Sequence, residues 1–112
     1  MVSHLVIMKP RQDLSAADRE RLVVAFEHAI QEIPSVRNVR VGRRVKLGVG
    51  YEALMPDAAD YFILIEFDDI AALAAYLQHP AHKDLGDRFN DSLAAALVFD
   101  YEDVGLDRLR EL

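Results

Sequence analysis

The octapeptide DYFILIEF, Asp60 to Phe67, restricts the fold more than any other stretch of the chain. In an extended strand successive side chains point to opposite faces. Tyr61, Ile63, Ile65 and Phe67 therefore point one way, and Phe62 and Leu64 the other, so both faces are apolar. VSHLVIM, Val2 to Met8, behaves similarly, with Leu5 and Ile7 opposed to Val2, Val6 and Met8. Leaving such side chains in water forgoes roughly 1.5–3 kcal/mol each. A chain containing these strands must cover two sides of its sheet.

The remaining elements show what is available for covering. Pro10 stops the first strand. Ser15 stands three residues before Asp18, a capping-box arrangement that starts a helix. Leu22, Phe26, Ala29 and Ile33 follow at helical spacing, Val23 and Ile30 widen the stripe, and Pro34 ends it. VRNVRV, Val36 to Val41, reads as a second strand closed by Gly42. From Arg43 to Ala59 there is no period, only Gly48, Gly50 and Pro56, which predicts a long loop and a candidate lid. Asp68-Asp69 opens a helix through Ile70, Leu73, Ala74 and Leu77. Pro80 starts a second helical piece carrying Leu85, Phe89 and Leu93, and LVFDY, Leu97 to Tyr101, is the last strand.

The order β-α-β-β-α-β predicts an α+β, ferredoxin-like domain with a four-stranded antiparallel sheet over residues 1–103, followed by a short charged tail at 104–112. Its helices cover one face of the sheet. A second copy of the chain is the expected cover for the other, making a homodimer, a dimeric α/β barrel whose two sheets enclose a partly apolar interior.

Composition excludes several classes. Lys and Arg number 13 against 19 Asp and Glu, a net charge of −6, which disfavours general binding to nucleic acid. No apolar run approaches the ~18 residues of a membrane helix, and residues 1–9 lack the features of a signal peptide. With no cysteine there is no disulfide or thiolate chemistry. We expect a cytoplasmic protein that works without nucleic acid or membrane. Arg37, Arg40, Arg43, Arg44 and Lys46 form a basic stripe with no nearby acid in sequence, either a solvated strand edge or an anion site.

Chemistry concentrates in AYLQHPAHKDL, Ala75 to Leu85. His79 precedes a proline and so belongs at a joint between helices. His82 then falls in the first turn of the following helix, where the dipole favours the neutral imidazole that a general base requires, with Asp84 nearby to offset the effect. Both histidines could equally serve only to satisfy the backbone at the joint. His4 is the odd polar residue on the face of Val2, Val6 and Met8. If that face is enclosed, the ring needs a partner or a ligand. Gathering His4, His79, His82 and either Asp84 or Asp60 around a metal matches no established ligand spacing, so no metal site and no cofactor are assigned. Nucleophile-elbow, phosphate-loop and dinucleotide motifs are absent. Tyr76, Tyr61 and Phe62 are types that more often pack cores than line pockets.

HLVIMK, IPSVRNVRVG, YFILIEF, AYLQHPAHKDL and FDYE together, across residues 2–103, resemble the stress-responsive dimeric α/β-barrel (Dabb) family. The resemblance implies ferredoxin-like homodimers around an apolar cavity that takes a small apolar or partly anionic ligand. In a plant cyclase of this family the histidine ending the HPAH motif is the base of a cofactor-free aldol ring closure, and that position is His82. The positions matching His4 and Tyr76 line its pocket. Its first-helix tyrosine is matched here by Phe26, which removes a hydroxyl but keeps a ligand contact. The resemblance thus implies His82, His4 and Tyr76 as catalytic residues, and we expect Phe26, Phe62 and His79 as ligand contacts. It points to a small-molecule-binding protein, with a cofactor-free cyclase or isomerase as its enzymatic form. A non-enzymatic stress oligomer, or a regulatory module using the basic stripe and long loop, are the alternatives.

Overall fold

Four strands and three helices follow one another in the computed structural model, which describes all 112 residues. They are β1 (Val2–Pro10), α1 (Ala16–Glu32), β2 (Asn38–Arg43), β3 (Tyr61–Phe67), α2 (Ile70–Gln78), α3 (Pro80–Ser92) and β4 (Leu93–Glu102). The strands form one antiparallel sheet in the order β2-β3-β1-β4, the ferredoxin-like plan.

Local chemistry sets the helix ends where the sequence places them. The Ser15 hydroxyl accepts the Asp18 N–H, and an Asp69 carboxylate oxygen accepts the Ala72 N–H at 2.8 Å. His79 serves two helices at once. Its N–H donates to the Tyr76 carbonyl at the end of α2, while its ring Nδ1 accepts the Ala81 N–H at the start of α3. Pro80 holds His79 in an extended conformation, with φ −69° and ψ 140°, so the two helices cannot merge into one.

The core lies between one face of the sheet and the helices. Val2, Val6, Met8, Ile63, Ile65 and Phe67 pack against Ala25, Ala29, Ile33, Leu73, Tyr76, Ala81 and Leu85. Leu22, Phe26 and Ile30 border this core, whereas Val23 is exposed and does not widen the buried stripe as its spacing suggests.

The opposite face carries two cross-strand rows, Phe62–Ile7–Leu97 and Leu64–Leu5–Phe99, with Tyr101 beside them. No helix lies over it. Phe62, Leu97, Phe99 and Tyr101 are 37%, 41%, 44% and 51% exposed. The two-sided strands of the sequence therefore leave one greasy face uncovered by the chain itself.

Two boundaries differ from the sequence expectation. Strand β2 starts at Asn38 rather than Val36 and runs past Gly42 to Arg43. Gly42 is a strand residue directly opposite Phe62, and a Cβ built on it would lie 2.0 Å from Phe62 Cε1. Absence of a side chain, rather than a turn, is what this position provides: it makes room for the aromatic ring. The segment between β2 and β3 is also more ordered than a loop without structure. It contains a 3-10 turn, Gly50–Leu54, organised by the Glu52 carboxylate, which accepts the N–H groups of Leu47 at 2.8 Å and Gly48 at 2.7 Å. Those bonds, Leu47's first, hold Glu52 below the usual carboxylate range. Gly48 takes a φ of +81°, a conformation natural only to glycine. An ion pair between Lys9 and Asp57 ties the far end of the segment to β1. After β4 comes an exposed 3-10 turn, Leu106–Glu111. No helix is long and apolar enough to cross a membrane.

Candidate functional site

Three of the six expected site residues meet around one side chain. Tyr76 is 1% exposed, and its ring packs against His4 with centroids 5.8 Å apart, against His82 at 4.7 Å and against Phe67 at 5.2 Å. The two imidazoles meet it edge to face, each at 63°. His4, Tyr76 and His82 line a pocket of about 280 Å³, whose walls are otherwise largely apolar and include Phe26, Phe89 and Val98.

The strands and helices each supply half of this cluster. His4 lies on the helix-facing side of β1, between Ile65 of β3 and Asp100 of β4. Its Nδ1 is 2.6 Å from Asp100 Oδ1. An ionised carboxylate can only accept, so this contact assigns the proton to Nδ1 and leaves Nε2 without a claim on it. His4 is buried while the Asp100 side chain is 46% exposed, so the pair bridges the inside of the pocket and its edge.

His82 stands in the first turn of α3 and is half-buried. Burial pushes its pKa below the ordinary histidine value and the neighbouring His4 adds to this, while the Leu77 carbonyl opposes it. The direction agrees with the helix-dipole argument made from sequence, but the dominant cause is desolvation. Asp84 does not offset it: that carboxylate faces a larger, open hollow of about 560 Å³ between α1 and α3, among Glu20, Arg21 and Arg88. Burial also pushes the Tyr76 phenol up to about 12, so it remains an O–H donor at any physiological pH.

The pocket is not where the barrel picture puts it. It lies between the sheet and the helices of one chain, because His4 shares the core face with Val2, Val6 and Met8 rather than the bare face. Phe26 lines it as expected. Phe62 does not: it projects from the opposite face of the sheet over Gly42. His79 does not either, since its ring is engaged as the cap of α3. None of the residues between β2 and β3 lines the pocket.

The basic stripe also looks different in three dimensions. Arg37 pairs with Asp68 at 2.7 Å. Arg43, Arg44 and Lys46 share their hollow with Asp60, and Arg44 and Lys46 help Lys9 to lower the pKa of Asp57. Acids distant in sequence thus compensate the cations. No group of three or more His, Asp or Glu side chains is arranged to hold a metal ion.

Asp100 is the residue that sequence reasoning passed over. It sits within the FDYE stretch, but only the register of β4 against β1 shows that it faces His4, 96 residues earlier.

Comparison with known proteins places this geometry in context. The model of the stress-responsive A/B barrel domain matches residues 2–103. Olivetolic acid cyclase from Cannabis sativa is 23% identical over 100 residues, which cover 89% of this chain and 94% of the cyclase. Among solved structures, a dimeric ferredoxin-like protein of unknown function from Jannaschia sp. CCS1 is similar with a TM-score of 0.72 at 24% identity, covering 91% of this chain and 98% of that one. The hydroxynitrile lyase from Passiflora edulis has a TM-score of 0.73 at 14% identity, with 93% and 95% covered.

Proposed function

Because the chain belongs to the stress-responsive A/B barrel domain family, we propose that it is a homodimer whose subunits each bind a small, partly apolar carbonyl compound between helices and sheet, and that it moves a proton on that compound without a cofactor. The convergence of His4, Tyr76 and His82 on one pocket is the observation that carries this reading. His82 is the base. Burial favours its neutral form, in which one ring nitrogen keeps its lone pair. That nitrogen takes a proton from the carbon next to the substrate carbonyl. The C–H electron pair moves into the new C=C bond and the carbonyl pair onto oxygen. The Tyr76 O–H donates to the developing oxyanion, and the Asp100-held imidazole of His4 orients the substrate from the other side. Where the substrate is unsaturated beside that carbon, return of the proton from His82 to the far end of the dienolate completes an isomerisation; otherwise the enolate carbon attacks a second carbonyl, the first C=O re-forms, and the new alkoxide takes the proton back from His82 as the ring closes. The similar cyclase and lyase support carbonyl chemistry of this kind. The missing hydroxyl at Phe26 argues for a substrate or ring closure different from the cyclase's own.

The bare sheet face supports the dimer, as does the dimeric state of the similar Jannaschia protein. Proton exchange tests the central claim. With 2,4-hexanedione in D₂O at neutral pH, the protein should speed deuterium uptake at the carbon between the carbonyls, and His82→Ala should abolish the acceleration at nearly unchanged melting temperature. Uptake no faster than in buffer, or undiminished in the variant, refutes the proposal.

A further inference from the structure

Helix α3 carries His82, Gly86 and Asn90 at four-residue spacing, so they form one stripe along the helix, and all three line the pocket. His82 is half-buried and Asn90 is exposed, so the stripe runs from the inner wall to the mouth with Gly86 between. A glycine in the middle of a helix is unfavourable relative to alanine. Here neither conformation nor packing requires one. Its φ is not positive, and a Cβ built on it meets no atom within 4 Å. Gly42 and Gly86 thus differ in kind: a side chain at the first collides with Phe62, whereas one at the second enters empty pocket.

We propose that Gly86 determines the size of the molecule the pocket admits, its missing side chain being the gap through which the apolar part of a ligand lies between the mouth and His82. This rests on the reading of the pocket as the ligand site. One helical turn separates the Cα atoms of residues 82 and 86 by about 6 Å along the axis, so a branched side chain at 86 occupies the space directly beside the imidazole. Phe26 and Phe89 line the same pocket as Gly86, so a ligand's hydrocarbon portion has aromatic walls to meet.

Binding of acetophenone and octanophenone to the full chain, followed by amide and histidine-ring NMR shifts, tests it. The wild-type protein binds both. Gly86→Ala melts a few degrees higher and loses affinity for octanophenone first, by roughly tenfold, the size expected for small changes in an apolar pocket. Gly86→Leu binds neither ketone, while Asp87→Leu, on a neighbouring residue outside the pocket, binds both as the wild type does. Unchanged binding by Gly86→Leu overturns the assignment of Gly86 and leaves the pocket reading standing. A lower melting temperature for Gly86→Ala also overturns it, since the glycine would then be needed by the fold. Should Gly86→Leu fail to fold, the selectivity of Gly86→Ala decides alone. Failure of the wild-type protein to bind either ketone overturns the pocket reading, and the role of Gly86 with it.

Discussion

The rings of Tyr76 and His82 meet edge to face with centroids 4.7 Å apart, across the break between α2 and α3. Tyr76 is thereby both a core residue and a wall of the candidate site, and two substitutions separate these roles. Tyr76→Phe keeps the ring contacts and removes only the O–H, so stability should stay close to wild type while proton exchange on a diketone slows. Tyr76→Ala empties a fully buried position and should cost about 3–5 kcal/mol, measured by denaturant unfolding.

His82 gives the site a defined response to pH. Its folded-state pKa is lowered, chiefly by burial, from an ordinary value of 6.5. The unfolded chain therefore binds a proton more readily than the folded one below that value. The stabilising contribution of neutral His82 is complete above pH 6.5 and is lost as the pH falls from there through the lowered folded pKa. Melting temperatures of wild type and His82→Gln should lie close together at pH 7 and above, and the wild type should fall relative to the variant as the pH drops below 6.5. Activity relying on His82 as base should rise through the same lowered pKa and be flat by pH 7.

Asp100→Ala removes the only partner of the buried His4 Nδ1. Half of the Asp100 side chain is exposed, so water reaches the gap and the loss should be modest, about 1 kcal/mol. The functional loss should be larger than the structural one, because the imidazole is no longer held in one tautomer. Nitrogen-15 shifts of the His4 ring report this directly.

Gly42 and Phe62 should show strong coupling. Gly42→Ala places a methyl group on the Phe62 ring and should destabilise the protein by roughly 1–3 kcal/mol, as overpacking does. In a Phe62→Ala background the same change should be nearly neutral. A double-mutant cycle on thermal or urea unfolding measures the difference.

The bare face of the sheet makes a prediction about assembly. Leu97→Asp combined with Phe99→Asp sets charges in the two cross-strand rows, and light scattering should then give a monomer mass where the wild type gives a dimer. A wild-type protein that is monomeric at micromolar concentration ends the dimer proposal.

Much of the architecture is legible in particular residues. Ser15, Asp69 and Pro80 mark helix starts by chemistry that acts over three residues, so short-range reading places them correctly. The alternation within DYFILIEF shows that two faces need cover, but not which of them bears the pocket. That depends on which side the helices pack, and His4 lands with the core. Phe62 and Asp100 illustrate the same limit. A ring over Gly42 and a carboxylate on His4 are consequences of strand register, which joins segments far apart in sequence. His79 is ambiguous in sequence because one imidazole can cap a helix or contact a ligand; the geometry of its Nδ1 toward Ala81 gives it the first role.

The double duty of His79 has a consequence for how such a protein can diversify. Tyr76 and His82 are spaced by a short run of chain around one proline joint, whereas His4 and Asp100 depend on strands from opposite ends of the sequence lying in step. A shift of one strand would dismantle the acidic half of the site and spare the basic half. New chemistries are therefore easier to reach by altering the sheet wall, with the tyrosine–histidine corner carried along intact.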